Sequence, residues 1–76
     1  MKNRISIHDF YFGHDGCGNY YTTYTSPTTG KFWTSIISKE RIDEVRANPT
    51  QQSLTKLMNY CKRNGSVNAL YLTFAY

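Results

Sequence analysis

Residues 20–37 read Tyr20-Tyr21-Thr22-Thr23-Tyr24-Thr25-Ser26-Pro27-Thr28-Thr29-Gly30-Lys31-Phe32-Trp33-Thr34-Ser35-Ile36-Ile37, two runs of β-branched and aromatic residues around a Ser-Pro-Thr-Thr-Gly turn. Such side chains fit a pleated, half-buried surface, while Pro and Gly at this spacing reverse the chain. The stretch is therefore predicted to be a pair of antiparallel strands, Tyr20 to Ser26 and Lys31 to Ile37.

Working back toward the N-terminus, Ile5 to Phe12 alternates as well, with Ile5, Ile7, Asp9 and Tyr11 on one side and Ser6, His8, Phe10 and Phe12 on the other. Between this run and Tyr20 lies Gly13-His14-Asp15-Gly16-Cys17-Gly18-Asn19, rich in residues that tolerate positive φ. Three strands joined by two tight connections make a meander.

Toward the C-terminus the period changes. Ser38 is placed to cap a short helix from Lys39 to about Ala47, with Glu40, Asp43 and Glu44 in its first half and Asn48-Pro49 as its stop. Thr50 can cap a second helix, in which Leu54, Leu57, Met58 and Cys61 recur at i, i+3, i+4 and i+7, and Gly65 ends it. Val67 to Tyr76 then reads as a last strand with Leu70, Leu72, Phe74 and Tyr76 on one face, inside the sheet or under the helices. The expected fold is α+β in the order βββααβ, one domain over residues 1–76, its helices packed on one face of a four-stranded antiparallel sheet.

Composition agrees with a thin single core. Leu, Ile, Val and Phe make up about a fifth of the chain, near the limit for disorder, but 7 Tyr, 4 Phe and Trp33 supply large buriable areas. Cys17 and Cys61 are far apart and follow no apolar secretory segment, so free thiols and a cytoplasmic location are expected. No apolar run is long enough to span a bilayer, which excludes membrane partnership of that kind. The net charge of +4 is uneven: acids and bases balance through Glu44, and beyond it Arg46, Lys56, Lys62 and Arg63 meet no acid.

The reactive side chains do not form a convincing centre. His8, Asp9, His14, Asp15 and Cys17 cluster in sequence, yet a hairpin turn accounts for them, and Cys61 falls on the apolar face of the second helix. No glycine-rich loop leads into a helix bearing Lys and Ser or Thr. The expectation is a protein with no catalytic residue, metal or cofactor.

Binding signals are stronger. Tyr11, Tyr20, Tyr21, Tyr24 and Trp33 sit on the meander, and because two helices cover one sheet face, some of this aromatic surface is expected to stay open. Lys56, Lys62 and Arg63, with Asn59 and Tyr60 nearby, mark a basic side of the second helix. Aromatic rings beside cations serve as a protein-binding hot spot or as a stacking platform for single-stranded bases, while cross-strand packing explains the same rings equally well and a solvated helix face explains the cations.

In size and in its Tyr- and Asn-rich style the whole chain resembles the small accessory proteins of bacteriophages and mobile elements, some of them anti-CRISPR or other host-directed inhibitors. The resemblance implies a stoichiometric inhibitor acting in the cytoplasm of a bacterial host. Its partner would be a host protein or protein–nucleic acid complex, bound through the aromatic and basic surface. A basic chain cannot work as an acidic mimic of DNA. The alternative is a small nucleic-acid-binding domain that combines Tyr/Trp stacking with Lys/Arg phosphate contacts. Either a monomer or a homodimer paired through a sheet edge fits the pattern.

Overall fold

The computed structural model describes residues 4–68 and 73–76. They form a single 3-10 turn at Ile7–Asp9, strands β1 (Phe10–His14), β2 (Tyr20–Thr25) and β3 (Phe32–Ile37), helices α1 (Lys39–Ala47) and α2 (Gln51–Asn64), and the short strands β4 (Ser66–Val67) and β5 (Phe74–Ala75). The sheet is antiparallel, in the order β4-β3-β2-β1-β5. The α+β class, the meander and both helices are as expected, but the sheet has five strands rather than four.

The first strand starts later than alternation implied. Ser6 Oγ accepts from the His8 N–H at 3.1 Å while Asp9 Oδ2 accepts from the Ser6 N–H at 3.2 Å, a reciprocal capping pair. This local hydrogen bonding gives residues 7–9 a helical turn in place of ladder bonds. Ile5 and Ile7 still pack against the core from the side.

The connection after β1 is built on Asp15. Its Oδ1 accepts from Cys17 N–H at 2.8 Å and Asn19 N–H at 3.1 Å, and Oδ2 accepts from the Asn19 amide at 2.7 Å. Gly16 and Gly18 take φ of +81° and +98°, a region closed to most side chains.

The expected C-terminal strand is two separate pairings on opposite edges. β4 joins β3 through Trp33↔Val67, and β5 joins β1 through His14↔Phe74. Asn68 ends the first: at φ +54° it donates its N–H to Phe32 O at 2.6 Å and accepts from Phe32 N–H through Oδ1 at 3.2 Å. Phe74, on an edge, is 63% exposed, and Leu70 and Leu72 of the expected strand lie outside the described residues.

Both helices lie on one face. Ser38 and Thr50 cap them as anticipated, accepting from Arg41 N–H at 3.2 Å and Ser53 N–H at 3.1 Å. Ile42 and Val45 of α1, with Leu54, Leu57 and Cys61 of α2, pack on Phe10, Phe12, Tyr24 and Ile37 of the sheet. The register puts Phe10, Phe12, Thr22, Tyr24, Trp33, Ser35 and Ile37 on this covered face, and Tyr11, Tyr21, Thr23, Thr34 and Ile36 on the other. At Gly65 a Cβ would stand 2.5 Å from Cys61 O and 2.9 Å from Thr34 O, so glycine lets the end of α2 touch β3.

Candidate functional site

Among the described residues, a flank of the helical layer gathers three cations without a carboxylate partner. On α2, Leu54, Leu57 and Cys61 face the core, which turns Lys56, Asn59, Tyr60, Arg63 and Asn64 toward a flank shared with α1. There Arg41 faces them, one position before the buried Ile42. These six residues line a shallow groove of about 270 Å³. It continues past Arg41 and Lys56 into a second hollow of about 420 Å³, bordered by Glu44, Val45, Asn48 and Ser53.

The cations of the groove have no carboxylate partner among the described residues, where Lys39–Asp43 at 2.9 Å is the one ion pair. In that pair the hydrogen bond from Lys39, followed by one from the Tyr76 hydroxyl, holds the Asp43 carboxyl below its ordinary range. Glu44 is the single acid lining either hollow, and the smaller hollow has none. A site of this kind attracts an anion without first having to break an internal salt bridge.

Arg41 is also held in place. Its guanidinium lies 4.7 Å from the centre of the Tyr60 ring, and the Tyr60 hydroxyl donates to Ile36 O at 2.7 Å. The hydroxyl fixes the ring, and the ring supports the guanidinium through a cation–π contact.

The expected binding residues are thus dispersed. Lys56 and Arg63 meet in the groove, whereas Lys62 leans the other way, 5.3 Å from the Trp33 ring and 5.8 Å from the Tyr24 ring. Tyr24 is a core residue, 5% exposed, tilted against Phe10 at 5.1 Å and stacked on Trp33 at 6.0 Å, and cannot present a face to a base. Tyr20 is half-buried, edge-on to Tyr76 at 5.0 Å. Tyr11 and Tyr21 are on the far face, Tyr11 exposed and Tyr21 half-buried. Alternation along the strands therefore divides the five aromatics between two faces, so they make no common platform.

Arg41 is the residue that sequence reasoning missed. Its signal is present: Ile42 and Val45 at i and i+3 define the inward stripe of α1 and leave Arg41 at its border. Which border faces α2 depends on how the helices pack, and periodicity does not carry that.

The other reactive groups have structural duties. Asp15 spends both carboxylate oxygens on its own turn, and the Asn19 amide followed by the Cys17 N–H holds its carboxyl below the usual range. His14 Nδ1 accepts from the Gly16 N–H at 3.1 Å. Cys61 is fully buried, and burial pushes its thiol up to about 11. Cys17 is exposed and unbonded to Cys61. Among the described residues no three His, Cys, Asp or Glu side chains gather in a way that could hold a metal ion. No helix among them is long and apolar enough to cross a membrane.

No family model, curated protein or solved structure matches this chain. The geometry of the groove is therefore what bears on function.

Proposed function

We propose that this chain is a non-enzymatic binding protein that sets the groove between α1 and α2 against an anionic surface of a host macromolecular complex. It acts stoichiometrically, in the manner of the small phage and mobile-element inhibitors that it resembles. The observation carrying this reading is the convergence of Arg41, Lys56 and Arg63 on one groove with no internal counter-ion among the described residues. Like charges gathered this way repel one another, so their placement needs a gain elsewhere, and an anionic partner supplies it.

Two aromatic rings lie under cations on the helical side of the molecule. Tyr60 supports Arg41, and half-buried Trp33 lies beneath Lys62 at the other flank of α2. Both rings act through the cation above them.

The test is affinity capture from bacterial lysate with and without nuclease, using the wild type, the triple variant Arg41→Gln/Lys56→Gln/Arg63→Gln, and Tyr11→Ala on the opposite face. The expected result is a partner held by the wild type and by Tyr11→Ala but lost from the triple variant. Retention by the triple variant would remove the groove from the interface.

A further inference from the structure

Resting on the assignment of the groove as the binding surface, we infer that its ligand is the phosphodiester backbone of a nucleic acid, held without regard to base sequence. Three features separate this from an acidic protein surface.

The first is composition. Around the acid-free half stand two guanidinium groups and one ammonium, with the amides of Asn59 and Asn64 between them. Arg and Lys with neutral amide and hydroxyl groups are the usual donors to phosphate oxygens. Protein interfaces are built around an apolar core from which charge is depleted, and here the one ring, Tyr60, is covered by Arg41.

The second is the state of Arg41. A guanidinium lying 4.7 Å from the centre of a ring whose hydroxyl is anchored to β3 has already given up part of its side-chain freedom, so less remains to be lost on binding. The planar fork of a guanidinium matches two oxygens of one phosphate.

The third is extent. Lys56 and Arg63 are seven positions apart on α2, roughly 10 Å along the helix axis, and Arg41 faces them across the groove. This is the length of a backbone track. Glu44, at the edge of the neighbouring hollow, repels phosphate there and confines the track to the Arg41–Arg63 half. Its cations are donors of the kind that contact phosphate oxygens, so charge density is the main difference expected between duplex and single strand.

Fluorescence anisotropy with a fluorescein-labelled mixed-sequence duplex, its single strand, and poly-glutamate as an acidic polypeptide probe tests the inference on the full chain. Three phosphate contacts give a log–log salt slope of about −2.7 on duplex and about −2 on single strand, so that duplex affinity falls roughly 40-fold from 50 to 200 mM salt. Each of Arg41→Gln, Lys56→Gln and Arg63→Gln should lower the slope by about 0.9 for duplex. Arg41→Lys keeps the charge and loses the fork, so it should weaken binding with the slope unchanged. Circular dichroism of every variant confirms that the fold is intact.

Binding of poly-glutamate but not of either oligonucleotide, abolished in the triple variant, would overturn the phosphate inference and leave the groove as the binding surface. Oligonucleotide binding that survives the triple variant would overturn both. Failure of all three probes, with a lysate partner still lost from the triple variant, would overturn the phosphate inference alone.

Discussion

At the scale of single residues, the side chain that departs most from its surroundings is Thr22. It is fully buried on the covered face between Phe12 and Ser35, and its hydroxyl meets only the Cys61 thiol, a weak partner too poorly placed to make a full hydrogen bond. A buried hydroxyl left wholly unsatisfied costs about 1 to 3 kcal/mol of desolvation, of which a weak sulfur partner offsets a part, and replacing it with a methyl of the same shape removes that cost while keeping a strand-forming residue. Thr22→Val should therefore leave stability unchanged or raise it by up to about 1 kcal/mol, read as a higher urea midpoint with the same m-value. A midpoint lower than that of the wild type would show that the hydroxyl is satisfied in solution. Asp15 gives a second test at this scale. Its folded carboxyl titrates below the ordinary value of 3.8 because the turn donates to the charged form. A depressed carboxylate contributes stability that is complete above its unfolded value and is lost as pH falls through the folded one. The stability difference between wild type and Asp15→Asn should thus be full at neutral pH, narrow as pH drops below 3.8, and vanish in stronger acid. Urea denaturation at several pH values measures it, and a difference independent of pH would mean that the turn bonds are not made by the ionised acid.

At the scale of elements, what could be read in advance was what is encoded locally. The helices were legible because Ser38, Thr50 and Asn48-Pro49 carry their own start and stop chemistry, and the hairpin because Ser26 to Gly30 leaves few other routes. Two local signals competed at residues 5–9: Ile5 and Ile7 alternate like a strand, but Ser6 and Asp9 at i and i+3 also form a capping pair, and the hydrogen bonds prevailed. The division of the C-terminal run between two edges was not legible, since it depends on which strands Val67 and Phe74 meet, and alternation says nothing of partners. One result is that α1, with nine residues and two inward side chains, leans on the end of β5. Tyr76 donates its hydroxyl to Asp43 Oδ1 at 2.8 Å, its carbonyl accepts from Arg46 at 2.9 Å, and its ring is covered by Arg46 and Lys39. Tyr76→Ala should accordingly speed amide hydrogen exchange across Lys39–Ala47 well before it affects Leu54 to Cys61, because α2 is anchored by its own three buried residues. Uniform acceleration in both helices would mean that they open as one unit.

At the scale of the whole molecule, the surplus of cations is the property that joins stability to function. The half of the candidate site visible in the sequence was Lys56 and Arg63, from the acid-free stretch after Glu44. The half that was hidden was Arg41, because charge balance in the first half of the chain concealed that packing carries it across to α2. Three cations around one shallow groove without a carboxylate partner among the described residues must repel each other across solvent. At the ionic strength of a cell that repulsion is felt over about 8 Å and at low salt much further. The wild type should for this reason become more stable as sodium chloride is raised from low concentration, by a few tenths of a kcal/mol. The variant Arg41→Gln/Lys56→Gln/Arg63→Gln should begin higher and respond less. Thermal melts over a salt series measure both slopes. Arg41→Gln alone will not show the gain cleanly, since it also removes the guanidinium from Tyr60 and with it a packing contact, so Lys56→Gln and Arg63→Gln are the informative single changes. If these two leave the salt dependence as steep as in the wild type, the groove is not where the excess charge acts on stability. If they flatten it and raise the melting temperature, the cations are held in place against the preference of the fold, as residues kept for a ligand are.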